Sequence, residues 1–403
     1  MNILLISSIY PLPTADNHGT KVCHFFAKEW MKMGHNVQSI HIQAVYPQPL
    51  YWIAKLNRKR IAAKTGAVVY TERDRGGNYV MDGVPVTRIP VFKPIPHGAF
   101  WGKSVRKAVD QIYRQNTDNG FTPDIILAHF SNPQIEILSM LKKIYPNVKN
   151  ALIIHGDIAL TKKVYGKRLP ALMTGIDSWG FRNNGDLRDF QDIIAPVDSH
   201  FMCYSGVPED YLITENNRAF DKPLKNFIYV GEMIERKYPV QVLEALNKAY
   251  SDGNFHLSYV GDGQLISNIK EKASALGVQD KVNVLGRIPR EEIKSRYDQA
   301  DCMVMISRGE VYGLVYLEAM ARGCITIASR NEGFDGVIED GVNGFLCEAG
   351  NFEELASIIS RINSMTADER RQISYNAWQT AKGLTDYMSA KKYLEDAIKS
   401  FKQ

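Results

Sequence analysis

Residues 302–329 read CMVMISRGEVYGLVYLEAMARGCITIAS and follow the pattern strand, loop, helix, strand. Residues 302–306 and 325–328 are apolar runs of the length of a buried strand, and the segment between them has helical spacing. Gly313 would open that helix and Gly323 would close it, since glycine is favoured just beyond a helix end. A strand, a helix and a second strand in this order predict a parallel sheet covered by helices.

The same alternation continues along the whole chain, with helical patterns between apolar strand patterns. It predicts two Rossmann-like α/β domains that face each other across a cleft, with ligands at the carboxyl ends of the strands. A polar segment without periodicity, 215–225, marks the predicted domain boundary. The further strands are predicted at residues 2–8, 37–42, 85–91, 124–128, 151–154, 192–196, 227–231, 256–261, 282–285 and 345–347.

Composition supports a folded protein with reduced cysteines. The 403 residues suit two or three domains, and 45% hydrophobic with 23% charged residues excludes a disordered chain or a fibre. No apolar run reaches the ~18 residues of a membrane span, and the start of the chain lacks the basic region of a signal peptide. The expected location is the cytoplasm. Five dispersed cysteines without a C-x-x-C pair predict free thiols rather than disulfides or a zinc site: Cys23, Cys203, Cys302, Cys324 and Cys347.

Positive charge is concentrated in the first half of the chain. Residues 1–215 carry 25 Lys and Arg against 18 Asp and Glu, and no acidic residue occurs between Glu29 and Glu72. Residues 51–64 and 100–107 combine basic side chains with aromatic ones, among them Tyr51, Trp52, Phe100 and Trp101. Two interpretations stay open, a solvated basic face and a surface that rests on anionic lipid. Nucleic acid is a weaker candidate because no binding motif accompanies either segment.

Two glutamates, Glu310 and Glu318, lie eight residues apart around the predicted helix start. A helix N-terminus presents free N–H groups and positive partial charge, so residues 313–315 could bind a diphosphate. Glu310 could then reach one end of the ligand, and Glu318 could hold the two hydroxyls of a ribose at the other. The alternative is a surface helix with two unrelated carboxylates. The position of both residues beside a strand, a glycine and a helix start favours nucleotide binding.

The segment 310–344 resembles the E-x7-E signature of the retaining GT-B glycosyltransferases of family 4. Glu310 and Glu318 enclose the residues Tyr-Gly-Leu-Val, and Glu-Asp-Gly-Val-Asn-Gly ends the segment. The start of the chain is also similar to that family, from the first strand through a Pro-rich loop and Gly19 to Met-Gly-His-Asn-Val. The resemblance covers essentially the whole chain and is strongest over residues 226–350.

This resemblance implies transfer of a sugar from a UDP- or GDP-linked donor to a glycan or lipid-linked acceptor, in surface polysaccharide or glycolipid biosynthesis. It implies retention of the anomeric configuration without a metal or other cofactor, and the absence of a D-x-D motif agrees. It also implies an acceptor-side domain over residues 1–215, a nucleotide-sugar-binding domain over 216–385, and a C-terminal helix over 386–403 that packs back on the N-terminal domain.

The family's site residues carry over to matching positions. Glu310 would contact the donor sugar, Glu318 the ribose, and Lys237 the departing diphosphate. His155 would lie near the sugar and the acceptor. The other donor-binding positions implied by the resemblance are Gly19, Gly261, Asp262, Gly263, Arg287, Ile288, Gly313, Leu314 and Val315.

One position departs from the family's pattern. Glu232 stands where the family usually has an arginine, directly after a strand-ending glycine. A carboxylate there would repel a diphosphate, so we predict that Arg236 and Lys237 together form the cationic clamp. Glu232 would then pair with Arg236 or turn toward the sugar hydroxyls. The alternative is that Arg236 points to solvent and Lys237 acts alone.

The chemistry of the leaving group suggests the mechanism. A departing diphosphate gains negative charge, so the enzyme must offer positive charge there in advance. No second carboxylate presents itself as a nucleophile, which favours front-face substitution over a covalent intermediate. Two other functions stay open: another enzyme of the same fold, such as a sugar-nucleotide epimerase or a phosphorylase, and a non-catalytic nucleotide-sugar-binding protein, which Glu232 makes conceivable.

Overall fold

The computed structural model describes residues 1–13, 21–65 and 69–402, and the chain folds as two α/β units. The sequence placed the boundary after residue 215, whereas Val207 and Tyr211 already belong to the hydrophobic core of the second unit. The first unit contains Met1–Arg182, Asp186–Cys203 and Ala390–Gln403, and the second contains Asn183–Gly185 and Tyr204–Ser389.

In its described residues, the first unit has an eight-stranded sheet. Its strands are β1 Asn2–Ser7, β2 Asn36–Val45, β3 Gly77–Met81, β4 Val84–Phe92, β5 Ile125–His129, β6 Lys149–Ile153, β7 Ser178–Phe181 and β8 His200–Met202. The strand order is β3-β4-β2-β1-β5-β6-β7-β8, in which β3 pairs antiparallel with β4 and the other neighbours pair in parallel.

The helices among the described residues before β8 are α1 Val22–Lys32, α2 Gln48–Thr65, α3 Gly102–Asp118, α4 Gln134–Ile144, α5 Ile158–Tyr165, α6 Leu169–Met173 and α7 Asn184–Ile193. Both faces of the sheet are covered, because successive residues of β1 enter two different cores: Ile3 and Leu5 one, Leu4 and Ile6 the other. This explains why β1 reads as a continuous apolar run.

The second unit has a six-stranded sheet of parallel neighbours in its described residues. Its strands are β9 Asn226–Val230, β10 His256–Val260, β11 Val282–Gly286, β12 Cys302–Val304, β13 Ile325–Ser329 and β14 Phe345–Cys347, in the order β11-β10-β9-β12-β13-β14. The helices are α8 Pro239–Ala249, α9 Ile266–Ala275, α10 Arg290–Gln299, α11 Leu314–Ala321, α12 Phe352–Ser364 and α13 Ala367–Gly383.

The last helix, α14 Asp386–Ser400, contributes one side to the core of the first unit. Ala390, Tyr393, Leu394 and Ala397 recur at the spacing of one helical face and are all buried in that core. The indole Nε1–H of Trp30, on α1, donates to the carbonyl of Ala390 at 2.8 Å. This segment therefore completes the first unit although it is distant in sequence.

The predicted strand at residues 192–196 is wrong. Its first two residues end helix α7, and strand β8 follows only at His200–Met202. Ile193, Ile194 and Val197 are apolar because they pack against the core of the first unit, not because they join the sheet. An apolar run at a helix end cannot be told from a short strand by its pattern alone.

Two aromatic residues predicted at the basic surface are buried. Tyr51 is 3% exposed and its hydroxyl accepts a hydrogen bond from the N–H of Tyr46, at 2.9 Å. Phe100 is 7% exposed, with the Lys93 ammonium 4.9 Å from its ring centre. In each pair of neighbouring aromatic residues, only the tryptophan is exposed, Trp52 in one and Trp101 in the other.

Among the residues that the structure describes, we find no helix with the length and apolar character that crossing a membrane requires.

Candidate active site

The candidate site lies where two neighbouring parallel strands of the second unit end. Strand β9 pairs with β10 on one side and with β12 on the other, so the chain leaves the sheet centre in opposite directions. The carboxyl ends of strands at such a reversal are the usual ligand site of open α/β sheets. Lys237 follows β9 and Glu310 follows β12.

Lys237 and Glu310 form an ion pair at this edge. The Lys237 Nζ atom lies 3.2 Å from Glu310 Oε2, and the two side chains are 14% and 17% exposed. The geometry is not that of a hydrogen bond, and Oε2 accepts no hydrogen bond from any described residue. A buried carboxylate oxygen without a hydrogen-bond donor is costly, so a ligand hydroxyl would be stabilising here.

Arg236 joins the two loops instead of pairing with Glu232. Its Nη1 donates to the carbonyl oxygens of Arg308 and Gly309 at 3.1 and 3.3 Å, and the N–H of Arg308 donates to the Arg236 carbonyl at 2.7 Å. Glu232 is exposed, and within the described part of the chain it forms no ion pair with Arg236. The Glu232–Arg236 pair, one of the two predicted arrangements, is therefore not formed, because the guanidinium binds the loop carbonyls. The other arrangement, with Glu232 turned toward the sugar hydroxyls, stays a prediction.

A neighbouring loop holds the backbone of Glu310. The Glu332 carboxylate accepts from the Glu310 N–H at 2.9 Å, and burial raises the pKa of Glu332 above its usual value. A Cβ atom on Gly333 would lie 2.4 Å from the nitrogen of Tyr312 and 2.5 Å from the carbonyl oxygen of Glu310, so only glycine fits. Sequence reasoning missed the role of Glu332. Its signal was a polar residue beside a glycine just after a strand.

Helix α11 begins at the site. Its N-cap residue Gly313 has φ +80°, and a Cβ atom there would lie 2.5 Å from the ring of Tyr316. Because glycine has no side chain, it cannot cap the N–H groups of Leu314 and Val315, which are thus available to an anion. The predicted helix start is confirmed, and it follows the Glu310 loop directly.

Glu318 lies in the second turn of α11 and is buried. Its Oε1 accepts from Arg290 Nη2 at 3.0 Å, and its Oε2 lies 3.5 Å from the hydroxyl of Tyr297. Burial raises the pKa of Glu318, and the Arg290 guanidinium opposes that rise. A carboxylate has about four acceptor positions, so these contacts leave capacity for a pair of hydroxyls. Arg290 carried no sequence signal that separated it from other surface arginines.

The glycines of the loop after β10 are required by close backbone contacts. A Cβ atom on Gly261, at φ +137°, would lie 2.0 Å from the carbonyl oxygen of Gly231. A Cβ atom on Gly263 would lie 2.4 Å from the carbonyl oxygen of Met233. The ends of β9 and β10 thus approach each other more closely than other residues would permit, which opens backbone to a ligand.

Three further predicted positions are Asp262, within this loop, and Arg287 and Ile288, which follow β11. Asp262 Oδ1 accepts from the N–H of Gly263 at 2.8 Å, and Arg287 Nε lies 3.9 Å from Asp262 Oδ2. Both charged side chains are mostly exposed, at 62% for Asp262 and 68% for Arg287. Ile288 packs against the core of the second unit. The exposed pair is free to rearrange on binding, since such ion pairs contribute little stability.

His155 belongs to the first unit and is the second residue after β6. Its Nε2 lies 2.9 Å from the Nδ1 of His129, and the ring of Phe130 stacks on it with ring centres 4.1 Å apart. Burial lowers the pKa of His155 well below its usual value, so the ring is neutral near pH 7.

The remaining predicted position, Gly19, lies outside the described residues. Within the described ranges, no three His, Cys, Asp or Glu side chains form a group suited to a metal ion.

Comparison with known proteins relates this chain to glycosyltransferases. Residues 213–380 match the family model of glycosyl transferases group 1. The matched segment includes Lys237, Glu310 and Glu318, and it supports membership in glycosyl transferases group 1. The amylovoran biosynthesis glycosyltransferase AmsK of Erwinia amylovora is 23% identical over 392 residues, 91% of this chain and 92% of that protein. The N-acetyl-alpha-D-glucosaminyl L-malate synthase of Bacillus anthracis is 32% identical over 245 residues, 57% of this chain and 62% of the synthase.

Solved structures confirm the fold class. HepE from Anabaena, crystallised in complex with UDP, has a TM-score of 0.67 at 17% identity, over 99% of this chain and 100% of HepE. A glycosyltransferase from Rickettsia africae has a TM-score of 0.65 at 16% identity, over 100% of this chain and 99% of that one. At such identities the likeness concerns fold alone, and the two Rossmann-like α/β units are those of a GT-B fold.

Proposed function

We propose that this protein is a retaining glycosyltransferase that moves a sugar from a nucleotide-sugar donor to a glycan or lipid-linked acceptor. The observation that carries the proposal is the Lys237–Glu310 ion pair, 3.2 Å long, at the reversal point of a parallel sheet and beside the start of α11. It places one cation and one under-bonded carboxylate beside free backbone N–H groups. A diphosphate and a sugar hydroxyl are the ligand groups that such a set would bind.

The nucleotide would extend from this point along α11. Leu314 and Val315 would bind the diphosphate through their N–H groups, and Glu318 would accept from the ribose hydroxyls. The loop of Gly261, Asp262 and Gly263, with Arg287 and Ile288, would line the rest of the nucleotide. The UDP bound by HepE supports a uridine donor, and GDP stays the alternative.

The proposed mechanism follows from charge. As the bond between the sugar C1 and the phosphate oxygen breaks, negative charge develops on the diphosphate, and Lys237 and the α11 N-terminus stabilise it. Glu310 orients the sugar through its hydroxyls. The departing phosphate oxygen accepts the proton of the attacking acceptor hydroxyl, which enters from the same face and retains the configuration. The charge that this scheme needs is supplied by protein groups without a metal.

The names of the relatives favour transfer in the assembly of surface glycans. AmsK takes part in amylovoran biosynthesis, and another structure of similar fold is a lipopolysaccharide outer core galactosyltransferase, WaaB. We therefore propose that this protein acts in the assembly of a surface polysaccharide or glycolipid, and a cytoplasmic location stays part of the proposal.

A screen of nucleotide sugars by thermal unfolding should identify the donor, because a ligand that binds only the folded state raises Tm. At about 100-fold excess over Kd, the gain in unfolding free energy is ~2.7 kcal/mol. Incubation of the radiolabelled donor with candidate acceptors then tests the reaction. Transfer requires an acceptor, an epimerase converts the donor alone, and a non-catalytic binding protein yields no product. Conversion of the donor into another nucleotide sugar without an acceptor would contradict the proposal.

We further infer that helix α2 rests on an anionic membrane surface. Trp52, Ile53 and Leu56 are 61%, 53% and 85% exposed on this helix. The exposed cation Lys55 lies among them, and the exposed Arg58 follows the kink that Asn57 makes in α2. No acidic residue occurs between Glu29 and Glu72. Apolar side chains next to cations suit the boundary between lipid headgroups and acyl chains. The side chains of Lys59, Arg60 and Lys64 lie outside the described part.

The protein should sediment with anionic vesicles at low salt and be released at high salt, since headgroup attraction is screened. Lys55→Glu combined with Arg58→Glu should abolish this binding, because each cation near such a surface contributes about 1 kcal/mol. The same double reversal at Lys163 and Lys167, both exposed on the first unit, is the matched control and should bind normally. Equal binding to neutral vesicles, or none to either kind, would refute the inference.

A further inference from the structure

A line of three side chains runs from helix α14 to His155. The Tyr393 hydroxyl lies 3.1 Å from His129 Nε2, and His129 Nδ1 lies 2.9 Å from His155 Nε2. His129 and Tyr393 are 0% and 1% exposed, so water does not compete for these bonds. The rings are also held by stacking, Phe26 on His129 and Phe130 on His155. The Tyr393–His129 and His129–His155 contacts both lie within the first unit.

The three groups are neutral near pH 7. Burial lowers the pKa of His129 to about 3 and that of His155 well below its usual value, while burial raises the pKa of Tyr393 well above 10. Each imidazole therefore carries one N–H and one bare nitrogen, and the phenol keeps its hydrogen. Because every hydrogen bond needs one donor and one acceptor, only two arrangements of the protons satisfy both contacts.

The two arrangements differ in what happens to the hydroxyl hydrogen. In the first, Tyr393 donates to His129 Nε2, the Nδ1–H of His129 donates to His155 Nε2, and the proton of His155 is on Nδ1. In the second, both bonds run the other way, and the Tyr393 hydrogen has no other acceptor among the described residues. A buried hydroxyl without an acceptor is unfavourable, so the first arrangement is the more stable one.

We propose that Tyr393 is a positioning residue that holds His155 in the Nδ1–H tautomer, through His129. In this tautomer, His155 Nε2 accepts the hydrogen bond from His129, and His155 Nδ1–H can donate to a ligand oxygen. Among the described residues, His155 Nδ1 has no hydrogen-bond partner, so the donor is available. The identity of that oxygen, a sugar or acceptor hydroxyl, rests on the proposed function. The tautomer itself does not.

The test uses the full chain labelled with ¹⁵N-histidine, with ring nitrogens observed through long-range ¹H–¹⁵N spectra at pH 7. His155→Gln and His129→Gln assign the signals. In the wild type, His155 Nδ1 should show the shift of a protonated nitrogen and Nε2 that of a bare one. Tyr393→Phe keeps the buried ring but removes the hydroxyl, so the two arrangements become similar in energy. The two nitrogen shifts of His155 should then move toward each other.

Tyr387→Phe, an exposed tyrosine on the same helix, is the matched control and should leave both shifts unchanged. A wild-type His155 protonated on Nε2, or shifts that Tyr393→Phe does not alter, would overturn the proposal. With a transfer assay in hand, Tyr393→Phe should lower kcat about three- to tenfold at unchanged nucleotide affinity, as loss of one orienting hydrogen bond implies. A changed tautomer with wild-type kcat would overturn the role of Tyr393 in catalysis. If no transfer is found at all, the proposed function fails while the spectra still decide the tautomer.

Discussion

Replacing Lys237 by methionine should lower kcat by about 10²–10³, the loss that follows removal of one charge partner of a transition state. Methionine keeps the apolar stem of the side chain and removes the ammonium, which forms the ion pair with Glu310. The negative charge on the leaving diphosphate would then be stabilised by the backbone N–H groups and, if the clamp is shared, by Arg236. The measurement is the steady-state kcat with the donor identified by thermal unfolding.

Because Lys237→Met also leaves Glu310 without its ion-pair partner, thermal unfolding of the variant must be compared with that of Lys237→Met combined with Glu310→Gln. Lys248→Met is the matched control, since Lys248 pairs with Glu353 on the surface of the same unit. Wild-type kcat in Lys237→Met would exclude the proposed role.

Arg236→Ala distinguishes the shared clamp from a single cation. Its guanidinium is bound to the carbonyl oxygens of Arg308 and Gly309, which fixes the loop next to Glu310. A loss of kcat equal to that of Lys237→Met would assign both cations to the diphosphate. Near-normal kcat in Arg236→Ala would leave the charge to Lys237.

Glu318→Ala should weaken the binding of the free nucleoside diphosphate by ~1.5–3 kcal/mol, about 10- to 150-fold in Kd, as loss of hydrogen bonds to a charged group does. The carboxylate is held by Arg290 from one side and can accept ribose hydroxyls on its remaining positions. Isothermal titration with UDP and GDP measures the change. Arg290 is 47% exposed, so water can solvate it in the variant and the fold should persist.

Glu310→Gln should show the opposite division between binding and turnover. Its carboxylate is assigned to the sugar and not to the nucleotide, so kcat should fall while the affinity for free UDP or GDP stays unchanged. Glu353→Ala, at an exposed glutamate that also pairs with a lysine, is the control for both variants. If Glu310→Gln and Glu318→Ala both kept wild-type kinetics and binding, the site assignment would be wrong.

Local patterns predicted most of the sheet. The strand at Phe345–Cys347 coincides with its prediction, and those near residues 256–261 and 282–285 differ by one residue at one end. These strands are short apolar runs bounded by glycine or polar residues, so the signal lies within the strand itself. Strand β3 was missed because its side chains are largely exposed and therefore show no apolar run. It is held as a strand by its antiparallel pairing with β4.

The predicted site depended on one contiguous segment. Glu310, Gly313 and Glu318 occur within one strand–loop–helix unit, so their spacing already describes their geometry. The partners of these residues come from other loops. Glu332 holds the Glu310 backbone, and Arg290 holds the Glu318 side chain. No spacing rule links residues on different loops, which is why sequence reasoning missed both.

The amino-acid sequence by itself determined the two α/β units, the start of helix α11 at Gly313, and the carboxylates on either side of that start. Each of these depends on neighbours within a few residues. Tertiary structure alone decided that Arg236 binds loop carbonyls, that Tyr51 is buried while Trp52 is exposed, and that Tyr393 reaches His129. Tyr393 and His129 are separated by 264 residues of chain. Contacts of that kind form only when packing brings distant segments together, and hydrogen-bond direction then follows from burial that no local pattern contains.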